Sequence, residues 1–209
     1  MGRSYQQYCP IAHALDIVGE RWSLLVVREL MRGPQRYSDL HERLPGCGTN
    51  VLAARLKRLE EAGVVHRHRL PPPAASMVYE LTEYGEGLRR VVHELARWGI
   101  RSLGPPAPDE ALHPGWLIEA LGAITELQSD TPDICVEFRV GAEVGSFSAG
   151  VVSQGAADEP DAIVSTDPPG FYHLFVNGDF EQVEITGDRD AVGRLVSAAA
   201  LGPPLALQV

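Results

Sequence analysis

Apolar residues in the first part of the chain recur every three or four positions, which is the period of an amphipathic helix. Glycine and proline interrupt the pattern and divide it into separate elements. The predicted helices are, in order, Ile11 to Val18, Trp22 to Met31, a short one capped by Ser38 that runs to Leu44, and about Asn50 to about Ala62. Helix, short helix, turn and helix is the order of a helix-turn-helix motif.

The last of these helices has an apolar side and a polar side. Leu52, Leu56 and Leu59 share a stripe that suits a core, while the opposite side carries small and basic residues. Thr49 is the expected N-cap, and Gly63 is the expected left-handed residue after the helix. The pattern alone also fits an ordinary surface helix, but its place after the turn favours an element that enters the major groove of DNA.

After this helix the hydrophobic period changes from 3.6 to 2, which is typical of β-strands. Val64 to Arg69 and Met77 to Leu81 predict a hairpin, called the wing below, joined by a proline-rich loop. Arg67 and Arg69 are two residues apart, so they share one face, where they can contact the DNA backbone.

No metal, cofactor or disulfide is expected. His66 and His68 also share a face of the first strand, but no third ligand accompanies them in the sequence, which favours solvent-facing strand residues over a metal site. Cys9, Cys47 and Cys135 are too scattered for a zinc site or a disulfide framework, and reduced thiols are their expected state.

A longer helix is predicted from Glu83 to Ser102, with Thr82 as its cap. Its apolar stripe is continuous and consists of Leu88, Val91, Val92, Leu95 and Trp98. Such a stripe on a small domain favours packing against the same helix of a second subunit, and burial within one chain is the alternative. The predicted organisation is a first domain over residues 1–103, a proline-rich linker over 104–109 and a second domain over 110–209.

The second half predicts an α+β domain with one antiparallel sheet and helices on one face. The predicted elements are helix His113 to Leu127, strand Ile134 to Val140, strand Val144 to Ser153, strand Ala162 to Thr166, helix Pro168 to Phe175, strand Val183 to Thr186 and helix Arg189 to Leu201. Large aromatic residues come from several of these elements: Trp116, Phe138, Phe147, Phe171, Tyr172 and Phe175. They fit the lining of an apolar cavity and the interior of a filled core equally well.

Charge separates the two halves. The net charge of −10 combines +4 over residues 1–103, which hold 15 Lys and Arg against 11 Asp and Glu, with −14 over residues 104–209. The first half can therefore face phosphate, and the second should repel it. With 44% hydrophobic residues and neither a long apolar run nor a signal peptide, the chain is expected to be a cytoplasmic globular protein without a membrane partner. No nucleophile with a base and no glycine-rich phosphate loop is present, so an enzyme is not expected.

Several motifs in the first half occur together at fixed spacings. They are Tyr8-Cys9-Pro10, Gly19-Glu20-Arg21-Trp22, Arg28-Glu29-Leu30, Tyr37-Ser38-Asp39-Leu40, Leu59-Glu60-Glu61-Ala62-Gly63 and Tyr79-Glu80-Leu81-Thr82. With them, residues 8 to 101 resemble the HxlR family of winged-helix transcriptional regulators. The resemblance implies a homodimer, built from the first and last helices of the domain, that binds an inverted-repeat operator in double-stranded DNA.

The site residues expected on this basis fall into three groups. The DNA-contacting residues are Ser38, Thr49, Asn50, Ala54, Arg55, Lys57 and Arg58, with Arg67 and Arg69 on the wing. The dimerisation residues are Ile11, Leu15, Leu88, Val92, Leu95 and Trp98. Cys9 matches a cysteine that some relatives use to sense oxidants or electrophiles, and a helix start can activate a thiol, although a structural cysteine is the alternative.

Residues 160 to 201 resemble sterol-carrier-protein-type domains through Thr166-Asp167-Pro168, Asn177-Gly178-Asp179 and Thr186-Gly187-Asp188. This resemblance implies a tunnel that holds an apolar molecule, lined by the six aromatic residues above. Together the two halves favour a dimeric DNA-binding regulator that responds to an apolar small-molecule effector. The alternative is a lipid carrier or protein-interaction module that does not bind DNA.

Overall fold

The computed structural model describes residues 4–107, 110, 112, 115–125, 133–199 and 201. The chain splits into two compact units, Met1–Val92 and His93–Val209. This division falls within a helix, upstream of the boundary after residue 103 that the sequence predicts.

The first unit contains the expected helix-turn-helix and wing. Its elements are α1 (Pro10–Val18), α2 (Ser23–Leu30), α3 (Tyr37–Arg43), α4 (Thr49–Glu61), β1 (Val65–Arg69), β2 (Met77–Leu81), α5 (Glu83–Glu86) and the start of α6 (Leu88–Leu103). The core consists of side chains that face inward from each helix and from the base of the wing, among them Val26, Leu30, Leu40, Leu52, Leu56, Leu59 and Val65. The predicted leucine stripe of α4 is thus confirmed.

Two predicted helix caps are wrong. Gly48 is the N-cap of α4, and Thr49 lies in the first turn. Arg36 takes the N-cap position of α3, two residues before the predicted cap Ser38. The reason for the second shift is Asp39, whose carboxylate accepts the Arg36 backbone N–H at 3.2 Å from the third position of the helix. Gly63, with φ +71°, has the predicted left-handed conformation.

Helix α2 begins one residue later than predicted. Trp22 precedes the helix in a left-handed conformation with φ 80°. The helix turns Val26, Val27 and Leu30 into the core, whereas Leu25 is 39% exposed.

The long helix predicted from Glu83 to Ser102 is broken at Gly87 into α5 and α6. Thr82 caps α5 as predicted, because its hydroxyl accepts the Gly85 N–H at 3.0 Å. A Cβ atom on Gly85 would lie 2.0 Å from the Val64 carbonyl oxygen, so only glycine permits this contact between α5 and the start of the wing. The break at Gly87 therefore divides the predicted helix into two segments.

The second unit contains a five-stranded sheet and helices. Its elements are α7 (Trp116–Thr125), β3 (Cys135–Val140), β4 (Glu143–Ser148), β5 (Val151–Gln154), β6 (Ala162–Thr166), α8 (Pro168–Tyr172), a π-helical turn (His173–Asn177), β7 (Glu184–Gly187) and α9 (Arg189–Ala199). The strand order is β5-β4-β3-β6-β7, and β3 and β6 are parallel. The sheet is therefore mixed, and the prediction of a wholly antiparallel sheet is wrong. The cause is the connection after β5, which returns the chain to the other side of β3 in the same direction.

Other predicted elements of this unit need smaller corrections. The stretch predicted as one strand from Val144 to Ser153 is a hairpin of β4 and β5 that turns at Ala149 and Gly150. His113 and Leu127, the predicted ends of the first helix, lie outside the described residues. Alternate residues of the sheet share one core cluster with side chains of α7, α8 and α9, in agreement with helices on one face.

Within the second unit, Arg97 of α6 contacts the ends of two other helices. Its guanidinium donates hydrogen bonds to the carbonyl oxygens of Ile124 at 3.0 Å and Ala199 at 3.2 Å. These carbonyls belong to the last turns of α7 and α9, where a cation compensates the unpaired acceptors of a helix end. At the other end of α6, Leu88 and Val92 pack against the core of the first unit. One helix therefore contributes to both cores.

Candidate nucleic-acid interface

Helix α4 is held in place along its buried side and at its start. Leu52, Leu56 and Leu59 are at most 1% exposed. The Tyr37 hydroxyl of α3 donates a hydrogen bond to the Thr49 carbonyl oxygen at 2.8 Å. This contact fixes the first turn of α4 against α3.

The outer face of α4 carries exposed residues that make few contacts with other parts of the chain. Asn50, Ala54 and Lys57 recur at four and three positions and are all exposed. The Lys57 side chain is 77% exposed, and its Nζ lies 3.8 Å from the Glu61 carboxylate one turn further on. Such a surface pair contributes little stability, so Lys57 can exchange it for a phosphate.

Arg55 and Arg58 are bound within the first unit. Arg55 pairs with the Glu20 carboxylate at 2.6 Å and donates to the Arg21 carbonyl oxygen at 3.1 Å. Arg58 donates to the Asp16 carbonyl oxygen at 3.2 Å. On a helix, both positions lie beside the leucine stripe and not opposite it. Their observed role is to attach α4 to α1 and to the turn that follows it.

The wing is anchored to α3 by contacts that the sequence pattern did not reveal. Backbone hydrogen bonds of 2.9 and 2.8 Å join Gln35 and Tyr79 as a short β-bridge. The Arg36 side chain also donates to the Ser76 hydroxyl at 3.1 Å. The position of the wing relative to the helix-turn-helix is therefore fixed by the segment just before α3.

Both predicted wing arginines are exposed and lie on the same face. The Arg67 guanidinium is 5.7 Å from the centre of the Tyr79 ring, a cation–π distance. Arg69 donates to the Ala75 carbonyl oxygen at 3.0 Å within the loop. Ser38 is exposed at the start of α3, where its hydroxyl donates to Asp39 at 3.1 Å.

Glu29 is a buried carboxylate between α2 and α3 that the sequence pattern did not single out. The Glu29 side chain is 1% exposed and lies among the apolar residues on the buried face of α2. It accepts hydrogen bonds from Arg28 at 2.9 and 2.5 Å and lies 3.9 Å from Arg43 of α3. A buried carboxylate that joins α2 and α3 contributes to the geometry of the motif. In the sequence, this position is indicated by an acidic residue that stands between inward-facing apolar residues.

The cysteines of the first unit have different environments. Cys9 is half-buried at the N-cap position of α1, directly before Pro10, as the sequence predicts. Cys47 is buried, and its burial raises the pKa of the thiol above the usual value, an effect that the nearby Arg55 partly opposes. Because the thiolate is the reactive form, Cys47 should react slowly in the folded protein.

We therefore expect iodoacetamide to alkylate Cys9 about tenfold faster than Cys47, or more, in the folded chain. The reaction of Cys47 should accelerate as the pH rises above the ordinary thiol pKa, since the thiolate then becomes populated. Peptide mass spectrometry over time measures both rates, and full unfolding in guanidinium is the control, where the two rates should converge. Equal rates in the folded chain would contradict this assignment.

Some of the predicted dimerisation residues expose apolar surface. Ile11 is 72% exposed and Leu15 43% on α1, while Leu95 is 48% and Trp98 70% exposed on α6. Leu88 and Val92 differ, because they pack partly against the core of their own unit. Val91, which the predicted set omits, is 50% exposed on α6. Apolar surface of this extent is typical of an interaction site.

The predicted effector-binding residues lie in the core of the second unit. Phe138, Phe171 and Phe175 form a cluster with ring centres 4.9 to 6.0 Å apart. Trp116 meets Phe171 edge to face at 5.7 Å. Phe147 is fully buried, and Tyr172 is 8% exposed. These side chains contact one another in the manner of a packed core.

A helix-turn-helix followed by an anchored basic wing defines the winged-helix class of transcriptional regulators. The HxlR-like helix-turn-helix family matches residues 17–106, and the chain belongs to this family. It is 36% identical over 100 residues to the transcriptional regulator YvaP of Bacillus subtilis (strain 168), covering 47% of this chain and 93% of YvaP. It is 37% identical over 98 residues to the regulator YodB of the same organism, covering 46% of this chain and 88% of YodB.

YodB also has solved structures. The reduced form is 34% identical and is covered over 100% of its length, against 48% of this chain, with a TM-score of 0.41. Diamide-treated and quinone-bound forms of YodB have been solved as well. Among the described residues of this chain, every helix is too short or too polar to cross a membrane.

Proposed function

We propose that this chain is a dimeric transcriptional regulator that binds an inverted-repeat operator in double-stranded DNA and responds to an apolar effector through its second unit. The observation that carries the DNA-binding part is the outer face of α4, where Asn50, Ala54 and Lys57 are exposed beside a wing that presents Arg67 and Arg69. The net charge of +4 over residues 1–103 favours phosphate. Thr49 and Ser38 add exposed hydroxyl groups at the starts of the two motif helices.

Within the proposed interface, Arg55 and Arg58 act by positioning. Their contacts with Glu20, Arg21 and Asp16 keep α4 in place, so their loss would weaken DNA binding through the orientation of the helix. Lys57, Arg67 and Arg69 are the residues we assign to phosphate, and Asn50 is the candidate for a base edge.

The dimer is proposed to form through the exposed apolar residues of α1 and α6. In a symmetric pair each subunit presents the same patch, which places two copies of α4 against two half-sites. An inverted repeat is the operator symmetry that such a dimer requires.

The second unit is proposed to be a sterol-carrier-type domain that holds an apolar molecule among Phe138, Phe147, Phe171 and their neighbours. Its net charge of −14 over residues 104–209 disfavours phosphate binding. Helix α6 supports coupling, because Leu88 and Val92 pack in the first core while Arg97 holds the ends of α7 and α9. Mass spectrometry of a solvent extract from the purified full chain reads out a bound apolar molecule.

Cys9 is proposed as a second input. The relative YodB has been solved in reduced, diamide-treated and quinone-bound forms. Cys9 stands at the start of α1, whose Ile11 and Leu15 belong to the proposed dimer surface. A modified thiol at this position would act on the dimer.

The function is tested by incubating the purified full chain with a pool of random duplex DNA and sequencing the recovered fraction. Enrichment of one palindromic sequence supports the proposal. Recovery without sequence enrichment, combined with a bound lipid in the extract, would favour a lipid carrier or protein-interaction module instead.

Individual phosphate contacts are tested by salt dependence. We expect Lys57→Ala or Arg67→Ala to lower the slope of log affinity against log salt by about one unit each, because one counterion fewer is released. Fluorescence anisotropy with the enriched duplex at several salt concentrations measures the slope. Arg194→Ala, which removes an exposed cation of the second unit, is the matched control and should leave it unchanged. Unchanged slopes in both test variants would remove these residues from the interface.

A further inference from the structure

The face of the wing opposite Arg67 and Arg69 carries a second constellation. Antiparallel pairing places His66 directly opposite Glu80, and His68 is the next residue on the same face. The sequence shows only the two histidines together, because Glu80 lies on the other strand. The hairpin therefore supplies a third ligand that sequence spacing does not reveal.

The three side chains converge through the same atoms. The Nε2 atoms of His66 and His68 lie 3.4 and 3.6 Å from one carboxylate oxygen of Glu80. The two imidazole rings are stacked with centres 4.8 Å apart. One ligand atom from each residue can be chosen so that all three lie within 4.8 Å of one another.

These distances match a coordination shell. Ligand atoms about 2.0–2.2 Å from a tetrahedral ion lie roughly 3.3 Å apart, close to two of the observed separations. The side chains of His66 and His68 are 47% and 33% exposed, so their rings can rotate by the small amount that an ion requires. Strand pairing holds the backbone of all three residues during that adjustment.

The chemistry of the three side chains indicates which metal ions fit the site. Two imidazoles with one carboxylate suit Zn²⁺ and its divalent transition-metal neighbours, whereas Mg²⁺ and Ca²⁺ prefer oxygen alone. The strand alternation keeps Arg67 and Arg69 on the other face, so the wing arginines do not occupy the position of the cation. Three protein ligands leave a fourth position open for water or an oxygen donor.

We propose that His66, His68 and Glu80 form a three-ligand site for a divalent transition-metal ion, with Zn²⁺ as the representative, on the face of the wing opposite Arg67 and Arg69. A bound ion would cross-link β1 and β2 and add positive charge to the element. All three ligands belong to the hairpin, so metal binding and operator binding are tested by separate experiments.

The test is calorimetric titration of the full chain, purified without an affinity tag and freed of metal, with ZnCl₂ and with MgCl₂. We expect one Zn²⁺ per chain and no Mg²⁺ binding. His68→Ala and Glu80→Gln should each weaken Zn²⁺ binding by about tenfold or more, since even an outer-shell partner contributes 10- to 100-fold to affinity. His41→Ala is the matched control, because it removes an exposed histidine of α3 outside the cluster.

Wild-type Zn²⁺ affinity in both His68→Ala and Glu80→Gln would overturn the proposal. Circular dichroism of the metal-free variants checks that the wing substitutions leave the fold intact, and Glu80→Gln preserves the shape of the side chain. Titration with CoCl₂ separates the proposed ligands from the cysteines. An absorption spectrum of nitrogen and oxygen coordination is expected, and a thiolate charge-transfer band from the bound ion would place the metal on a cysteine and overturn the assignment.

Discussion

Replacing Phe138 with alanine is expected to lower the free energy of unfolding of the second unit by about 3–5 kcal/mol. Phe138 is fully buried, and its ring centre lies 6.0 Å from that of Phe171 and 5.8 Å from that of Phe175. Its loss removes apolar contacts from both neighbours and leaves a void that the two rings fill only in part. The cost therefore combines lost transfer energy with a cavity.

Hydrogen exchange measured by mass spectrometry assigns this effect to one unit. Peptides from residues 135–140 should exchange faster in Phe138→Ala, and peptides from α4 should keep their wild-type protection, because Leu52 and Leu56 belong to a separate core. Phe138→Leu is the control that retains part of the volume, and its effect should be clearly smaller. Unchanged exchange in residues 135–140 would show that the ring contributes little to the core.

Leu95→Glu is expected to convert the dimer into a monomer. The proposal places this half-exposed leucine of α6 in the subunit interface, where a carboxylate without a partner costs several kcal/mol to bury. Operator affinity should then fall on the order of 100-fold or more, since two linked half-sites bind 10²- to 10⁴-fold better than one. Light scattering measures the mass, and anisotropy with the enriched duplex measures affinity.

Ala96→Glu is the matched control for this prediction. It places the same charge on an exposed neighbouring position that lies about 100° or more around α6 from Val91, Leu95 and Trp98, the exposed members of the apolar stripe, so the dimer and its operator affinity should persist. A stable dimer in Leu95→Glu would place the subunit interface elsewhere, and Ile11 and Leu15 of α1 would be the next residues to replace.

The two units contain different structural features that bear on regulation. The first contains exposed residues suited to DNA and a thiol at the start of α1. The second contains a packed aromatic core and the contacts of Arg97 with α7 and α9. An effector that enters this core must repack Phe171 and Phe175, and helix α6 is the element that would respond. A ligand that binds both arrangements equally would leave operator affinity unchanged.

The sequence by itself determined the elements whose signal is local. The leucines of α4 recur with the helical period, the wing strands lie close to their predicted ranges, and Thr82 and Gly63 occupy positions that their backbone conformations require. These features depend on residues within a few positions of one another, so local sequence preferences are sufficient to predict where the helix, its caps and the two wing strands lie. The exposed face of α4 could be predicted for the same reason.

Only the tertiary structure decided which residues from distant parts of the chain meet. It brought Glu20 to Arg55, Gln35 to Tyr79 and Glu80 to the two wing histidines, and it placed β6 parallel to β3. Each of these contacts depends on chain direction and strand register, which hydrophobic periodicity does not contain. For this reason α4 was predictable from the sequence, whereas the pairing of Arg55 with Glu20 and the cluster of His66, His68 and Glu80 became visible only in the fold.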